Sequence, residues 1–317
     1  MKAPVLYIIV PCYNEEEVLP ETSSRLTALL SELTAGGQTD AGSRILFVDD
    51  GSRDKTWQII EQLAAKEPLV EGLKLAHNAG HQNALWAGMM SVKEKADAVV
   101  TIDADLQDDV QAIRGFLEKY REGCEVVYGV RSKRETDTAF KRMTAQGFYR
   151  FMQRMGVDMV YNHADYRLLG RRALEALGEF SETNMFLRGM VPLLGFKSAE
   201  VTYERGERFA GESKYPLKKM IAFAIEGITS FSIRPVRWVA LIGFLFALLG
   251  CVMALYALIS LICGQVVPGW TSIMVSIWII GGVQLIALGL IGEYVGKTYN
   301  EVKRRPKFIV EEYIEKK

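Results

Sequence analysis

Residues 103–107 read Asp-Ala-Asp-Leu-Gln and follow the apolar run Ala98-Val99-Val100-Thr101-Ile102. Asp103, Asp105 and Gln107 thus set two carboxylates and an amide oxygen at alternate positions where a buried strand ends. A hard divalent cation bridging a diphosphate needs such a set: a few oxygen ligands, with coordination positions left open for phosphate. Three further polar turns end apolar runs upstream: Pro11-Cys12-Tyr13-Asn14-Glu15, Asp49-Asp50-Gly51-Ser52 and His77-Asn78-Ala79-Gly80. In the second, Asp50 can take a base or ribose hydroxyl while Gly51-Ser52 lets backbone approach it. Singly, each turn reads equally as a helix start, because Asp, Asn and Ser cap helix N-termini.

The elements that position these turns are legible as alternating patterns. Strands are expected at Val5–Val10, Ile45–Asp49, Gly72–Ala76, Ala98–Ile102 and Val126–Gly129, and helices at about Glu16–Leu33, Asp54–Lys66, Gln82–Glu94 and Val110–Tyr120. Such alternation implies βαβ units, hence an α/β fold with a mostly parallel sheet and helices on both faces. Sheets of this kind bind ligands at the carboxyl ends of their strands, where all four polar turns fall. No Gly-x-Gly-x-x-Gly follows the first strand and no Gly-x4-Gly-Lys-Ser/Thr loop occurs. Dinucleotide oxidoreduction and P-loop hydrolysis both lose ground.

The downstream half has a different character. From Trp238 to Gly292 no residue is charged, and Gly264–Gly269 breaks the run into about 238–263 and 271–294. Each piece is long enough for a hydrocarbon core of about 30 Å. Only helices satisfy their backbone in lipid, and the short connector then makes a hairpin. Arg234, Arg237, Lys297, Lys303, Arg304 and Arg305 flank its outer ends, whereas the connector has no Lys or Arg. The positive-inside rule puts both termini and the large soluble part in the cytoplasm, on a cell membrane.

The 38 basic and 38 acidic side chains of the 317-residue chain balance, so no global field points to nucleic acid. Local basic clusters suit anionic membrane lipids or a phosphorylated lipid. The four scattered cysteines match no metal-ligand spacing and read as reduced. Met1-Lys2-Ala3-Pro4 leads straight into a strand pattern, without a cleavable apolar leader. Among the three histidines, His77 and His81 are four apart, but Asn78-Ala79-Gly80 between them speaks against a zinc pair. The expected domains are a cytosolic catalytic domain at 1–215, an interfacial segment at 216–236, two membrane helices within 237–296 and a basic cytosolic tail at 297–317.

With these residues in place, the chain resembles the family-2 glycosyltransferases of GT-A fold, and within them the bactoprenol glucosyltransferases and dolichyl-phosphate mannose synthase. The resemblance rests on the turns quoted above and on Tyr128-Gly129-Val130-Arg131, Ala164-Asp165-Tyr166-Arg167-Leu168 and Arg208-Phe209-Ala210-Gly211-Glu212-Ser213-Lys214. It implies that Pro11, Tyr13, Glu15, Asp50 and Asp103 line the nucleotide and that Asp105 and Gln107 hold Mg²⁺ or Mn²⁺. It further implies that Arg131, Arg167, Arg208, Ser213 and Lys214 grip phosphate on donor or acceptor, with Asp165 as the candidate base. Segments 143–155 and 216–231 would lie at the membrane interface as amphipathic helices. Tyr166 stands where the family pattern has Phe, and the Gln-x-x-Arg-Trp signature of processive synthases is absent.

The implied reaction moves a sugar from a nucleotide sugar to a polyprenyl (undecaprenyl) phosphate by direct displacement at the anomeric carbon. UDP-glucose is the first expectation for the donor, then UDP-N-acetylglucosamine, then GDP-mannose. A phosphate nucleophile is already anionic, so Asp165 is expected to position more than to deprotonate. Glycine-rich spans and family precedent point to a homo-oligomer. Transfer to diacylglycerol, and a membrane-tethered nucleotide sensor without activity, are the competing readings.

Overall fold

The computed structural model describes residues 3–131, 163–183, 185–204, 206, 229, 232–262 and 269–316. They fall into two units: one holds the described residues up to 206 together with 305–316, the other those from 229 to 304.

In the first unit, β1 (Leu6–Cys12), β2 (Arg44–Asp49), β3 (Val70–Leu75), β4 (Ala98–Thr101) and β5 (Val126–Arg131) alternate with α1 (Leu19–Ala35), α2 (Thr56–Lys66), α3 (His81–Val92) and α4 (Ala112–Arg121). This is the order expected from the patterns, with the ends displaced by a few residues. All of β1 is buried, because a parallel strand with helices on both faces has no solvent side. Leu6, Ile8 and Val10 share one core with Leu26 and Leu30 of α1, Trp57 and Ile60 of α2, and Ile113 and Phe116 of α4. Alternation sends Ile9 to the opposite face, under α3. There Gly88 lets the helix settle on the sheet: a Cβ at Gly88 would stand 2.5 Å from Ile9 Cγ2 and 2.9 Å from Val48 Cγ2.

Five further elements are not among those expected from the sequence: β6 (His163–Gly170), α5 (Arg171–Gly178), α6 (Leu187–Leu193), β7 (Ser198–Tyr203) and β8 (Val310–Ile314). The sheet order is β7-β5-β6-β4-β1-β2-β3-β8. Among the described residues, the β1–β2, β1–β4, β2–β3 and β5–β7 pairings are parallel. The β4–β6, β5–β6 and β3–β8 pairings are antiparallel. The direction of β6 matters for the site. Because it runs against β4, with Thr101 opposite Arg167, its first residues meet the carboxyl edge of the sheet and Asp165 arrives beside the Asp103–Gln107 turn.

The segment 297–317, expected as a basic tail, is divided. Lys297–Lys303 continues a long helix, and Val310–Ile314 adds an edge strand antiparallel to β3. Tyr313 Oη donates to Glu71 Oε2 at 3.0 Å and the Lys316 N–H to Glu71 Oε1 at 3.2 Å. Lys307 Nζ donates to the Phe180 carbonyl at 3.2 Å and sits 4.2 Å from the Trp86 ring centroid. The strand escaped notice because an edge strand carries charge, here Glu311 and Glu312, where a central strand carries apolar side chains.

The second unit contains α7 (Arg234–Ile262) and α8 (Trp270–Lys303). At 1.5 Å per residue they are about 44 and 51 Å long. Mean hydropathy reaches 2.0 over Arg234–Val252 and 1.6 over Ile279–Lys303, with neither stretch buried. Both are long and apolar enough to cross a membrane, and α8 runs on past its apolar part through Glu293, Lys297 and Glu301. Lys297 Nζ donates to Thr229 Oγ1 at 2.6 Å, and Tyr294 Oη to the Ser232 carbonyl at 2.5 Å. Residues 143–155, the connector 263–268 and, apart from Thr229, 216–231 lie outside the described residues.

Candidate active site

The turns after β1, β2 and β3 clasp one another. The Asn14 N–H donates to Ser52 Oγ at 3.0 Å, the Arg53 N–H to Asn14 Oδ1 at 2.9 Å and the Glu15 N–H to Thr56 Oγ1 at 2.9 Å. Asn14 has φ 55°, a left-handed conformation that Asn adopts more readily than most residues. Gly51 has φ +65°, and a Cβ there would lie 2.6 Å from the Asn78 nitrogen. Glycine therefore lets the third turn pack against the second. Asp50 completes the junction, accepting the Ala79 N–H at 2.7 Å and the Gly80 N–H at 3.0 Å on separate oxygens. Asp50 is buried, so its first task is to hold the 77–80 turn. Pro11 is buried at the end of β1 and Tyr13 is exposed beside it.

Beyond β4, the Gln107 N–H donates to Asp105 Oδ1 at 3.1 Å. Leu106 between them has φ 57°, a strained conformation for a branched side chain. The turn thus holds Asp105 and Gln107 together at a backbone cost. Burial, then the neighbouring Asp165, Asp108 and Asp105, push the Asp103 carboxyl up to about 6, against the opposing pull of His81. Among the described residues, no three His, Cys, Asp or Glu side chains converge to hold a metal unaided. Asp105 and Gln107 fit Mg²⁺ or Mn²⁺ as a partial oxygen set of the kind that substrate phosphates complete.

Asp165 is the hub of the second half. Its Oδ1 accepts Arg167 Nη2 at 2.5 Å and Arg188 Nε at 3.3 Å. Its Oδ2 accepts Arg188 Nη2 at 3.1 Å and Gln82 Nε2 at 3.0 Å. His81 Nε2 stands 3.6 Å from both Asp165 Oδ2 and Asp103 Oδ1, joining the two carboxylates. Burial alone would raise the pKa of Asp165; Arg188, His81 and Arg167 outweigh it and hold the group well below the usual carboxylate range. Gln82 also accepts the Leu187 N–H at 3.1 Å, tying α3 to the start of α6.

Two arginines expected at phosphate are engaged within the protein. Arg167, only 2% exposed, donates to Asp165 and to the Leu187 carbonyl at 3.2 Å. Expected at phosphate, it lies inside the fold, as do its strand neighbours Tyr166 and Leu168. Arg131 reaches Asp108 Oδ1 at 3.3 Å and Tyr203 Oη at 3.2 Å, and Tyr203 Oη donates to Asp108 Oδ1 at 2.6 Å. Arg131 is nevertheless partly exposed at the edge. Arg208, Ser213 and Lys214 lie outside the described residues. Arg188 was missed, for nothing near it in sequence marks a site; Gln82 was missed although it directly follows the His77–Gly80 turn and His81.

Residues 7–178 match Glycosyl transferase family 2. The chain belongs to that family. Relatives extend the likeness over nearly the whole length. The chain is 54% identical to the Bacillus subtilis "Uncharacterized glycosyltransferase YkoT" over 97% of this chain and 91% of that one. It is 37% identical to the Escherichia coli "Prophage bactoprenol glucosyl transferase homolog" over 96% and 97%, and 38% identical to the SfII prophage-derived bactoprenol glucosyl transferase of Shigella flexneri over 96% of each. Among solved structures, mannosyl-3-phosphoglycerate synthase from Rubrobacter xylanophilus matches with TM-score 0.50 at 18% identity over 74% of each chain. That likeness places the sheet and its helices in the GT-A fold expected for this glycosyltransferase family.

Proposed function

We propose that this family-2 glycosyltransferase moves a hexose, glucose first among the candidates, from a uridine-diphosphate sugar to a membrane polyprenyl phosphate. One observation carries the reading: an Asp-x-Asp-x-Gln turn at the carboxyl edge of the sheet and two unburied apolar helices occur on one chain. The bactoprenol glucosyl transferases similar to it support the same acceptor. The helices cross the membrane with both outer ends on the cytoplasmic side, so the long prenyl tail stays in the bilayer while its phosphate meets the site.

The acceptor phosphate oxygen attacks the anomeric carbon as the bond to the nucleoside diphosphate breaks, and one displacement turns an α-linked donor into a β-linked product. Pro11, Tyr13, Glu15 and Asp103 receive the nucleotide, on turns that Asp50 holds rigid. Held by Asp105 and Gln107, Mg²⁺ or Mn²⁺ would neutralise charge on the departing diphosphate. Arg131, braced by Asp108 and Tyr203, lends further positive charge. Asp165 is too well paired to serve as a base, and an anionic nucleophile needs none.

The test is incubation of detergent-purified full-length protein with undecaprenyl phosphate and UDP-glucose, UDP-N-acetylglucosamine or GDP-mannose, with Mg²⁺, Mn²⁺ or EDTA. Mass spectrometry of the lipid should show one glycosyl phospholipid, abolished by EDTA and reduced about 10²–10³-fold in Asp105→Ala, the scale of losing one electrostatic stabiliser. Transfer to added diacylglycerol alone would replace the acceptor. Nucleotide binding without transfer to either lipid would sink the enzymatic reading.

A further inference from the structure

Arg167 and Arg188 share one carboxylate, yet they are differently placed. Arg167 is 2% exposed and also donates, from Nη1, to the Leu187 carbonyl. The Arg188 side chain is 32% exposed. Its Nε and Nη2 form a two-pronged bond to Asp165, at 3.3 and 3.1 Å. Its Nη1 makes no hydrogen bond among the described residues. The Asp165–Arg167–Arg188 trio carries one surplus positive charge, and that surplus is on the exposed member.

Its location gives that charge a use. Through His81, 3.6 Å from each carboxylate, Asp165 connects to Asp103 of the metal-side turn. Arg188 therefore stands at the same edge of the sheet as the donor turns, braced by Asp165 of β6. A guanidinium fixed by two bonds loses little further side-chain freedom on meeting an anion, and its free nitrogen donors suit a phosphate oxygen. Asp165, meanwhile, receives hydrogen bonds from Arg167, Arg188 and Gln82, and so has little acceptor capacity left.

Resting on the polyprenyl-phosphate reading above, we propose that Arg188 binds the acceptor's phosphate and that Asp165 is the positioning residue that aims it. The donor diphosphate offers the same chemistry, so the experiment separates the two. Steady-state transfer by full-length wild type, Arg188→Gln and Arg188→Lys is measured with each substrate varied in turn, beside nucleotide binding by calorimetry.

Arg188→Gln should raise the KM for polyprenyl phosphate roughly ten- to a hundredfold, the scale of one charge-assisted hydrogen bond. The nucleotide-sugar KM and nucleotide affinity should stay within about twofold. Arg188→Lys should recover part of the loss, because charge survives without the fork. Asp165→Asn should also raise the acceptor KM, and should add little in the Arg188→Gln background, as residues acting as a unit do. An unchanged acceptor KM, or a rise confined to the donor, overturns the assignment. So does an Asp165→Asn variant that loses kcat alone with a shifted pH profile, the mark of a general base. If wild type glycosylates no polyprenyl phosphate, the function proposed above falls and Arg188's role falls with it; failure of the variants alone leaves that function standing.

Discussion

The two halves of the site are built from different materials. The half formed by the turns after β1, β2 and β3 is held by neutral donors and backbone: Asn14, Ser52 and Thr56 lock two turns together, and Asp50 fastens the third by two backbone N–H groups. The half formed by β5, β6, β7 and α6 is held by charges: Asp165 with Arg167 and Arg188, and Asp108 with Arg131. The first arrangement fixes a shape, which suits recognition of a base and sugar. The second spends hydrogen bonds on keeping cations in a low-polarity setting, which suits capture of an anion. A backbone clasp is disrupted by sterics; an ion cluster is disrupted by removing one partner.

That contrast is broken most severely at Arg167. With both Arg167 and Asp165 buried at 2.5 Å, Arg167→Ala leaves a carboxylate short of its inner partner and a void beside it. Removal of one member of a buried pair costs about 3–5 kcal/mol. Thermal unfolding of the full-length protein should show a large fall in the catalytic unit's transition temperature. Arg188→Ala should cause a markedly smaller fall, because solvent reaches that side chain and screens its loss. Equal falls would mean that the two arginines do the same structural work, and the division between buried brace and exposed cation would collapse.

The clasped half is probed at Gly51. Gly51→Ala brings a Cβ within 2.6 Å of the Asn78 nitrogen at a φ of +65°, so the turn after β3 must move. Strain of this kind costs about 1–3 kcal/mol. Because Asp50 and the 77–80 turn move with it, the nucleotide-sugar KM should rise while the acceptor KM stays close to wild type. A variant with raised acceptor KM and normal donor KM would show that the two halves are not functionally separate.

The difference between the halves also decided what could be seen in the sequence. The clasped half is written in short local motifs: each polar turn directly follows an apolar run, so its place at the sheet edge follows from periodicity alone. The α/β alternation up to β5 was legible for the same reason. The charged half is assembled across the chain. Asp165 meets Gln82 from 83 positions away and Arg188 from 23 positions away, and no spacing rule links them. Around Arg167 the motif gives composition, not the burial of both faces of β6. α6 and β8 lack strong periodicity, since short elements at a sheet's margin are specified by tertiary packing more than by their own pattern, whereas Ser198–Tyr203 of β7 does alternate and was legible in principle. The apolar character of α7 and α8 was plain, whereas the extension of α8 beyond its apolar part was not, because a charged helix carries no hydropathy signal.

Tyr166 gives the finest test of how the charged half is braced. The sequence marks it only as a departure from a family Phe, yet its hydroxyl donates to the Asp109 carbonyl at 2.8 Å. Its ring meets Phe116 edge-on at a centroid distance of 4.7 Å and Tyr203 at 5.2 Å. Tyr203 in turn bonds both Asp108 and Arg131, so Tyr166 anchors the loop that carries Asp108 while supporting the ring that braces Arg131. Tyr166→Phe keeps the ring contacts and removes one hydrogen bond, for a loss of about 1 kcal/mol. The expected outcome is a slightly lower unfolding temperature with both KM values unchanged, because the ring alone suffices to hold Tyr203. A change in acceptor KM would show instead that the Asp109 bond sets the position of Asp108 and, through it, of Arg131. The hydroxyl would then belong to the site's charge arrangement as well as to its packing.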